Sequence, residues 1–282
     1  MKIIFLGTAA ATSYPLAFCQ CDYCKEARKL GGKNLRKRSS IIINDDLLID
    51  LGPDVLSASF MYNKSIADIR YCLQTHPHSD HFDPSHLTTR IPEYMGVSTP
   101  PLEIYASLAT LTKMSEMLKN EGYVADLFDL KEQKKMNLKI NPVVSQQTFV
   151  AGSYKITAFS SDHDKSADSL IYSISEDDFT LLYATDTDSF RKDVITSFVN
   201  KKMRFNVVIL DHTYGPNADS GGHLNANRFI EQLELLKEQN LLSDNARILA
   251  THISHEGNPP YTELSNYAKQ FGYEIAYDGM AV

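Results

Sequence analysis

The sequence predicts a layered α/β fold in which helices cover paired β-sheets. Short apolar runs rich in Ile, Val, Leu, Phe and Tyr alternate with amphipathic stretches along the whole chain, and this alternation is typical of strands interspersed with helices. No repeat, low-complexity run or Pro/Ser-rich linker divides the 282 residues. We therefore expect a single domain, 1–282, in preference to two smaller ones.

The period of the apolar residues places the individual elements. Strands are expected at 2–6, 40–44, 46–51, 69–75, 102–106, 153–159, 168–175, 179–185, 206–211, 247–251 and 272–277. Helices are expected at 54–63, 84–95, 107–120, 188–200, 223–240 and 260–270. In 223–240, Phe229, Leu233 and Leu236 recur at near-helical spacing, and a turn at Ser243-Asp244 is expected to end the helix region.

Charge and hydropathy exclude several classes of protein. The chain has 35 acidic and 28 basic residues, a formal charge of −7, which argues against a broad grip on nucleic acid because phosphate neutralisation needs clustered Lys and Arg. No apolar stretch approaches the roughly 18 residues of a membrane span. The run Ile3-Ile4-Phe5-Leu6 is shorter than the apolar region of a signal peptide. We expect a cytoplasmic protein, in which clustered cysteines hold metal more often than disulfides.

The strongest chemical signal is the segment Thr75-His76-Pro77-His78-Ser79-Asp80-His81, directly after an apolar strand. His76 and His78 share one face of an extended chain, because strand side chains repeat every two positions. Asp80 and His81 lie where the chain turns, so they can face a second ion beside the first. Imidazole and carboxylate groups suit zinc, iron or manganese. The segment therefore predicts a metal centre.

Further ligands are expected at the ends of other strands. His163, Asp186 and His252 each follow an apolar run, where a shared sheet edge could bring them to the first segment. Taken alone, such a residue caps a turn as often as it binds metal. All three together with the first segment favour a shared metal site.

This ordered set resembles the metallo-β-lactamase superfamily, over nearly the whole chain. The resemblance implies a four-layer αββα sandwich with two divalent metals, Zn, Mn or Fe, at the sheet edge. It implies one ion held by His76, His78 and His163. It implies a second held by Asp80, His81 and His252, with Asp186 bridging both. Asp188 stands where many relatives have glycine, which leaves open which aspartate bridges.

Three cysteines form a second candidate metal site. Cys19, Cys21 and Cys24 have the spacing C-x-C-x₂-C, and three thiolates need a fourth ligand to close a tetrahedral zinc site. The cluster resembles the zinc knuckle, here around 19–24, of a superfamily branch typified by phosphoribosyl cyclic phosphate phosphodiesterases of phosphonate degradation. The resemblance implies one structural Zn completed by His255, three residues after the last catalytic ligand. Cys72, inside an apolar strand, is expected to be a buried, inert thiol.

His223 and Asp80 are the candidate catalytic residues. His223 follows Gly221-Gly222 at a predicted helix start, where backbone N–H groups and the helix dipole favour an anion. The segment resembles the superfamily position whose histidine contacts substrate phosphate or protonates the leaving group, and both roles stay open. Asp211 is expected to orient a neighbouring group, whereas His212 and His86 have no comparable spacing and are interpreted as structural.

One basic cluster, Lys33, Arg36, Lys37 and Arg38, precedes a predicted strand. A solvated turn is the favoured interpretation. The alternative is that Arg38 or a neighbour attracts a phosphate-bearing substrate toward the metals.

A two-metal centre predicts hydrolysis by a metal-bridging hydroxide, without selecting phosphorus over carbonyl carbon. The resemblance to the phosphodiesterase branch makes a small or cyclic phosphate ester the expected substrate. The alternatives are a tRNA 3′-processing endoribonuclease, which usually carries a basic arm, and a lactonase or thioesterase. A metal-binding or cofactor-pathway carrier protein is the non-enzyme alternative, and it expects a broken ligand set. We expect no nucleic-acid or membrane partner and, from the family, a homodimer.

Overall fold

A computed structural model describes residues 1–94, 97, 99–216 and 218–282. Two β-sheets pack face to face, and helices cover the outer side of each. The buried apolar residues form three clusters, one between the sheets and one beneath each helical layer. The predicted fold class, a four-layer αββα sandwich, is confirmed.

The first sheet has six strands in sequence order. They are β1 (Ile3–Gly7), β2 (Ser40–Ile43), β3 (Leu47–Ile49), β4 (Tyr71–Leu73), β5 (Leu102–Ala106) and β6 (Leu138–Pro142). The pairs β1–β2 and β2–β3 are antiparallel, and β3 to β6 run parallel. The helices on the outer side of this sheet are α2 (Val55–Met61), a 3₁₀ helix (Pro84–Arg90), α3 (Leu108–Asn120) and α4 (Leu130–Lys135).

The second sheet has seven strands in the order β13-β12-β11-β10-β9-β8-β7. They are β7 (Thr148–Ala151), β8 (Tyr154–Ser160), β9 (Leu170–Glu176), β10 (Phe179–Ala184), β11 (Phe205–Asp211), β12 (Leu242–Thr251) and β13 (Glu274–Ile275). Its outer face is covered by α1 (Asp22–Leu30), α5 (Lys192–Asn200), α6 (Ala226–Glu238) and α7 (Tyr261–Gln270).

Strand direction decides where the polar residues meet. Strands β10 to β13 are parallel, and β8 has the same direction because β8–β9 and β9–β10 are both antiparallel. Apolar side chains alternate along these strands, so that Leu181 and Tyr183 face the other sheet while Leu182 and Ala184 face the helices. The segments that follow β8, β10, β11 and β12 therefore leave the sheet at one end.

Several predicted elements differ from the structure. The segment 84–95 contains the 3₁₀ helix Pro84–Arg90, and Met95 lies outside the described residues. The helix predicted at 188–200 begins only at Lys192, and the one predicted at 223–240 begins at Ala226. The turn predicted at Ser243-Asp244 is wrong, because β12 begins at Leu242 and an irregular register carries these residues within the strand.

Four elements were not predicted: α1, α4, β6 and β7. Each offers few buried apolar residues to the pattern; α1 buries only Cys24 and Ala27, and α4 buries only Gln133. Among the described residues, no helix combines the length and the hydropathy needed to cross a membrane.

Candidate metal centre

The segment after β4 lies against the ends of β8, β10 and β12 and brings seven predicted ligands together. His76, His78 and His163 form one cluster whose ligating atoms lie within 4.8 Å of one another. Asp80, His81, Asp186 and His252 form a second cluster, whose ligating atoms also lie within 4.8 Å of one another. All four of these residues are buried. Parallel strands place side chains from distant parts of the chain at one sheet edge, which explains why residues up to 176 positions apart meet here.

Asp186 contacts members of both clusters. Its Oδ2 lies 2.6 Å from Nε2 of His81 and 3.2 Å from Nε2 of His76. Its Oδ1 lies 2.9 Å from Nε2 of His252. The Asp188 carboxylate instead pairs with the guanidinium of Arg228. Asp186 is thus the aspartate placed between the two groups of histidines.

The second ring nitrogen of each histidine has a partner on its far side. Nδ1 of His81 lies 2.7 Å from the Asp50 carboxylate, and Nδ1 of His252 lies 2.8 Å from Oγ1 of Thr213. The remaining contacts are His76 Nδ1 to Thr75 Oγ1 at 3.0 Å, His163 Nδ1 to the Gly222 carbonyl at 3.0 Å and His78 Nε2 to Asp164 at 3.0 Å. These partners fix the ring orientations and direct the other nitrogens toward the two clusters.

Backbone conformation also aims these groups. Asp50, Asp186 and His252 have φ values of 65°, 47° and 60°, a left-handed region that non-glycine residues rarely adopt. Asp50 and His252 directly follow β3 and β12, and Asp186 lies two residues after the end of β10. At these positions the left-handed backbone turns the side chain out of the sheet's alternation. Such conformations concentrate at functional sites.

The donor set fits divalent cations. Nε2 of His76 and Oδ1 of Asp186 are buried, and their contacts of 3.2 and 2.9 Å within the cluster lack the angles of a hydrogen bond. Two pairs of histidine nitrogens face each other, His78 Nδ1 with His163 Nε2 at 3.2 Å and His81 Nε2 with His252 Nε2 at 3.3 Å. Ligands at about 2.1 Å from a tetrahedral zinc ion are about 3.4 Å apart, so this spacing is that of atoms sharing an ion.

Burial shifts the pKa of each of these groups toward its uncharged form, and neighbouring charges add to that shift or reverse it. Burial would raise the pKa of Asp186, but His252 and His81 hold it well below the usual range. Burial would lower the pKa of His252, but the Asp186 carboxylate raises it to about 10. Burial, together with His81, places the pKa of His76 well below its usual value. The Asp186 carboxylate is thus held in the ionised form in which it can ligate a metal.

The three predicted cysteines and His255 also meet. Nδ1 of His255 lies 3.4 Å from Sγ of Cys21 and 3.6 Å from Sγ of both Cys19 and Cys24. Zinc bonds of about 2.3 Å to sulfur and about 2.1 Å to nitrogen give a tetrahedral edge of about 3.6 Å. Cys21 is also the N-cap of α1, where its thiol accepts from the Cys24 amide. Four ligands at these separations fill a tetrahedral site and leave no open position.

His223 lies beside the second cluster. Its Nδ1 is 2.9 Å from the Asp211 carboxylate, and its ring stacks on His252 with 5.2 Å between centroids. Burial would lower the pKa of His223, but Asp211 raises it. Because Asn225 is the N-cap of α6, His223 precedes the helix, and the predicted dipole argument at a helix start does not apply to it. Asp211 also accepts from the amides of Asp186 and Leu224.

The sequence model of the Beta-lactamase superfamily domain matches residues 46–278. The chain belongs to this superfamily. The match and the His/Asp clusters together support a metal-dependent hydrolase. No curated protein matches the sequence significantly.

Solved structures of this superfamily align over the whole chain. A new diphosphatase from the PhnP family is 19% identical with a TM-score of 0.71, covering 100% of this chain and 96% of that one. Zn²⁺-bound PqqB from Methylobacterium extorquens is 18% identical with a TM-score of 0.75, covering 100% and 99%. The short form of human tRNase Z is 17% identical with a TM-score of 0.66, covering 100% and 98%. At these identities the likeness establishes the shared fold.

A groove at the surface borders one of the predicted ligands. An open groove of about 670 Å³ reaches His78, whose side chain is 43% exposed. Leu108 and Lys113 of α3 form one wall, and the loop carrying Asp164 forms the other. His78 is therefore the ligand that borders this groove, with its Asp164 contact on the groove side.

The basic cluster and the remaining histidines occupy defined positions. Arg36 is only 4% exposed and donates to Thr8 and to the Ala276 carbonyl, so the predicted solvated turn is wrong for this residue. Arg38 makes a two-pronged ion pair with Asp54. His212 is buried against the Tyr273 hydroxyl, and burial lowers its pKa to about 4.

The two other residues interpreted as structural also lie in interior contacts. His86 lies 3.2 Å from the Gly52 carbonyl. Cys72 is buried, and burial raises the pKa of its thiol. The structural reading of His86 and the inert reading of Cys72 agree with these positions.

Sequence reasoning missed the residues behind the ligands. Asp50 accepts from the Thr75 amide and hydroxyl and contacts His81. Asp50 directly follows the apolar run Leu47-Leu48-Ile49, and Asp186 likewise stands just past its own strand, so the same strand-end rule identifies Asp50. Asp164 and Thr213 carried no such signal, because each acts on a ligand from a different part of the chain.

Proposed function

We propose that this chain is a dinuclear metal-dependent phosphodiesterase that hydrolyses a small or cyclic phosphate ester. The observation that carries the proposal is the pair of clusters joined by Asp186, with His223 and Asp211 directly beside them. Such a reaction needs a site for two cations, a proton donor and an opening for the substrate. In this proposal the two clusters are the cation site, His223 is the proton donor, and the groove at His78 is the opening.

The metal assignment follows the two clusters. His76, His78 and His163 would hold one ion, and Asp80, His81 and His252 would hold the other, with Asp186 shared. Cys19, Cys21, Cys24 and His255 would hold a structural zinc. Zn, Mn and Fe all suit the histidine and carboxylate donors of the dinuclear centre.

Two bound divalent ions would supply an activated water near neutral pH and positive charge against the phosphoryl oxygens. The chain's own residues direct the reaction around them. His223 is 17% exposed at the edge of the second cluster, where it can donate a proton to a departing oxygen. Asp211 accepts from its Nδ1, which fixes the ring and leaves Nε2 free to act as the acid.

Phosphate esters are favoured over carbonyl substrates by two likenesses. The Cys₃His cluster and the Gly-Gly-His-Leu segment resemble the phosphodiesterase branch, and the structurally similar diphosphatase of the PhnP family acts on a phosphorus centre. The groove at His78 offers a single Lys against the carboxylates of Glu116, Asp164 and Asp168. Such a groove favours a small ester over a polyanionic chain such as tRNA, despite the likeness to tRNase Z.

A small-molecule partner, a cytoplasmic location and a homodimer belong to the same proposal. The shared fold alone leaves the carrier alternative open. The complete ligand set disfavours it, because that alternative expects a broken ligand set, whereas all seven positions are filled and converge.

A substrate panel tests the proposed reaction. The chain, purified with Mn²⁺ or Zn²⁺, is assayed with an aryl phosphodiester, a cyclic ribose phosphate, a 3′-extended tRNA and a lactone. We expect turnover of at least one small phosphodiester. Turnover confined to the lactone or the tRNA, or none on either small phosphodiester, would contradict the proposal.

Replacing His223 by Ala separates its two possible roles. A proton donor matters most for a poor leaving group, so we expect His223→Ala to lower kcat about 100-fold or more on an alkyl or cyclic ribose ester. The same variant should lose far less on a nitrophenyl ester, whose leaving group departs without a proton. An equal loss on both substrates, with a raised KM, would show that His223 binds phosphate instead.

A further inference from the structure

Arg228 occupies an unusual position at the start of α6. Its amide donates to the N-cap side chain of Asn225 at 2.9 Å, which fixes the first helical turn. Its guanidinium pairs with the Asp188 carboxylate and donates to Oγ of Ser189 at 2.7 Å. A further contact, at 3.4 Å, reaches Oγ of Ser220. A planar guanidinium can serve three acceptors in this way, whereas an ammonium cannot match the geometry.

These contacts join two segments that carry the centre. Asp188 and Ser189 lie two and three residues after Asp186, and Ser220 lies three residues before His223. Each segment has one other tie to α6 or its cap: the Phe190 amide donates to Gln232 at 2.9 Å, and Asn225 donates to the Ala218 carbonyl at 2.9 Å. Arg228 is the side chain, among those described, that contacts both segments at once.

The segment before His223 also contacts His163, a predicted ligand of the first cluster. The Gly222 carbonyl lies 3.0 Å from Nδ1 of His163, whose Nε2 faces His78. Gly222 has a φ of 71°, and nothing lies within 4 Å of the Cβ position of Gly221. Two adjacent glycines leave this backbone with wide conformational freedom. The orientation of the Gly222 carbonyl therefore depends on contacts such as the one from Arg228 to Ser220.

Arg228 and Asp188 are partly exposed, with side-chain exposures of 31% and 22%. An ion pair in such a setting contributes little to global stability. Its contribution to geometry is larger, because a displaced outer partner weakens metal binding by about tenfold to a hundredfold.

We propose that Arg228 is a positioning residue for the hydrolytic centre: by clamping the segment after Asp186 to the segment before His223, it sets the orientation of His163 and His223. The proposal rests on the proposed function for its catalytic consequence. Its metal-binding consequence stands independently, since His163 faces His78 whichever substrate is used. Asp188 is the anchor that gives Arg228 its place.

Arg228→Ala, Arg228→Lys and the control Arg247→Ala test this role. Arg247 makes a comparable surface ion pair with Glu274, away from the ligands. The measurements are kcat and KM on an aryl phosphodiester, the dissociation constant of Mn²⁺ by chelator competition, and the thermal midpoint.

For Arg228→Ala we expect kcat to fall at least about tenfold and Mn²⁺ to bind about tenfold more weakly, with KM within about twofold of the wild type. Arg228→Lys should recover part of both losses, and Arg247→Ala should match the wild type. If the wild type hydrolyses no phosphodiester, the proposed function fails, whereas the Mn²⁺ constants still test the clamp.

Three results would overturn the proposal. The first is Mn²⁺ affinity in Arg228→Ala within about twofold of the wild type. The second is a raised KM with unchanged kcat, which would identify a substrate-binding cation. The third is an equal loss in Arg247→Ala, which would identify a general effect on stability.

Discussion

The His/Asp centre and the Cys₃His cluster differ in how their ligands are supported. In the His/Asp centre each histidine is held from behind by a carboxylate, a hydroxyl or a carbonyl, and Asp80, His81, Asp186 and His252 are fully buried. In the Cys₃His cluster Cys21 is exposed, and His255 has only the exposed Glu256 near its outer nitrogen, at 3.5 Å. A centre that must hold its ligands ready around open positions needs this support. A closed tetrahedral site is ordered by the ion it binds.

The two sites nevertheless share one segment of chain. His252 and His255 are three residues apart, and Ser254 and Asn258 both donate to the Thr213 carbonyl. Thr213 in turn contacts Nδ1 of His252 through its hydroxyl. Damage to the cysteine cluster should therefore reach the catalytic ligands through this segment, after it has reduced stability.

Asp186→Ala should have the largest effect. The carboxylate contacts histidines of both clusters, so its loss separates the two ions and removes a charge that balances them. We expect kcat on an aryl phosphodiester to fall by about 10³-fold or more, with far-UV circular dichroism unchanged. Asp244→Ala, at an exposed carboxylate of β12, is the matched control. Activity within tenfold of the wild type would remove Asp186 from the centre.

Cys21→Ser should affect stability before activity, the opposite of Asp186→Ala. Hydroxyl is a poor zinc ligand, so we expect loss of the structural metal and a decrease in thermal midpoint of several degrees before kcat per folded molecule changes. Elemental analysis should find about three metals per chain in the wild type, two of them labile to chelator. The variant should retain about two.

Cys72→Ala provides the comparison for that variant, because Cys72 is buried in an apolar cluster and belongs to none of the candidate metal clusters. It should cost about 1 kcal/mol of unfolding free energy and leave the metal count unchanged. Equal metal loss in both variants, or none in Cys21→Ser, would contradict the assignment of the cluster.

The local motifs were readable from sequence, whereas their support was not. His76 to His81 are contiguous, and His163, Asp186 and His252 stand at strand ends in the order of a known superfamily. Arg36 looked like part of a solvated basic turn, yet residues about 240 positions later cover it. Arg228 lies in the predicted helix 223–240, but its partners Asp188 and Ser220 lie outside that helix. Partners brought in by tertiary folding carry no signal in a single sequence.

The smallest expected effect is that of a substitution at Asp278. This residue can be compared with Asp186 as a buried carboxylate whose described partners include no histidine. It accepts from the Thr8 hydroxyl and the Lys37 amide, each at 2.7 Å. Histidines hold the pKa of Asp186 low, but burial raises the pKa of Asp278 to about 6, despite these bonds and the nearby Arg36. The ionised form is thus disfavoured by folding.

The direction in which stability changes with pH follows from that pKa shift. A pKa raised above the unfolded value of about 3.9 means that this group's stabilisation is complete below about pH 4 and is lost as pH rises through about 6. Asp278→Asn cannot ionise and keeps an amide oxygen to accept one of the two bonds. The unfolding free energy of the variant minus that of the wild type, from urea titrations, should rise by up to about 3 kcal/mol between pH 4 and pH 7.5. Metal loss at low pH affects both proteins and cancels in this difference. A difference that stays constant with pH would show that folding leaves the pKa of Asp278 unshifted, and a difference that falls as pH rises would show that Asp278 is stabilised as an ion, in the way that Asp186 is.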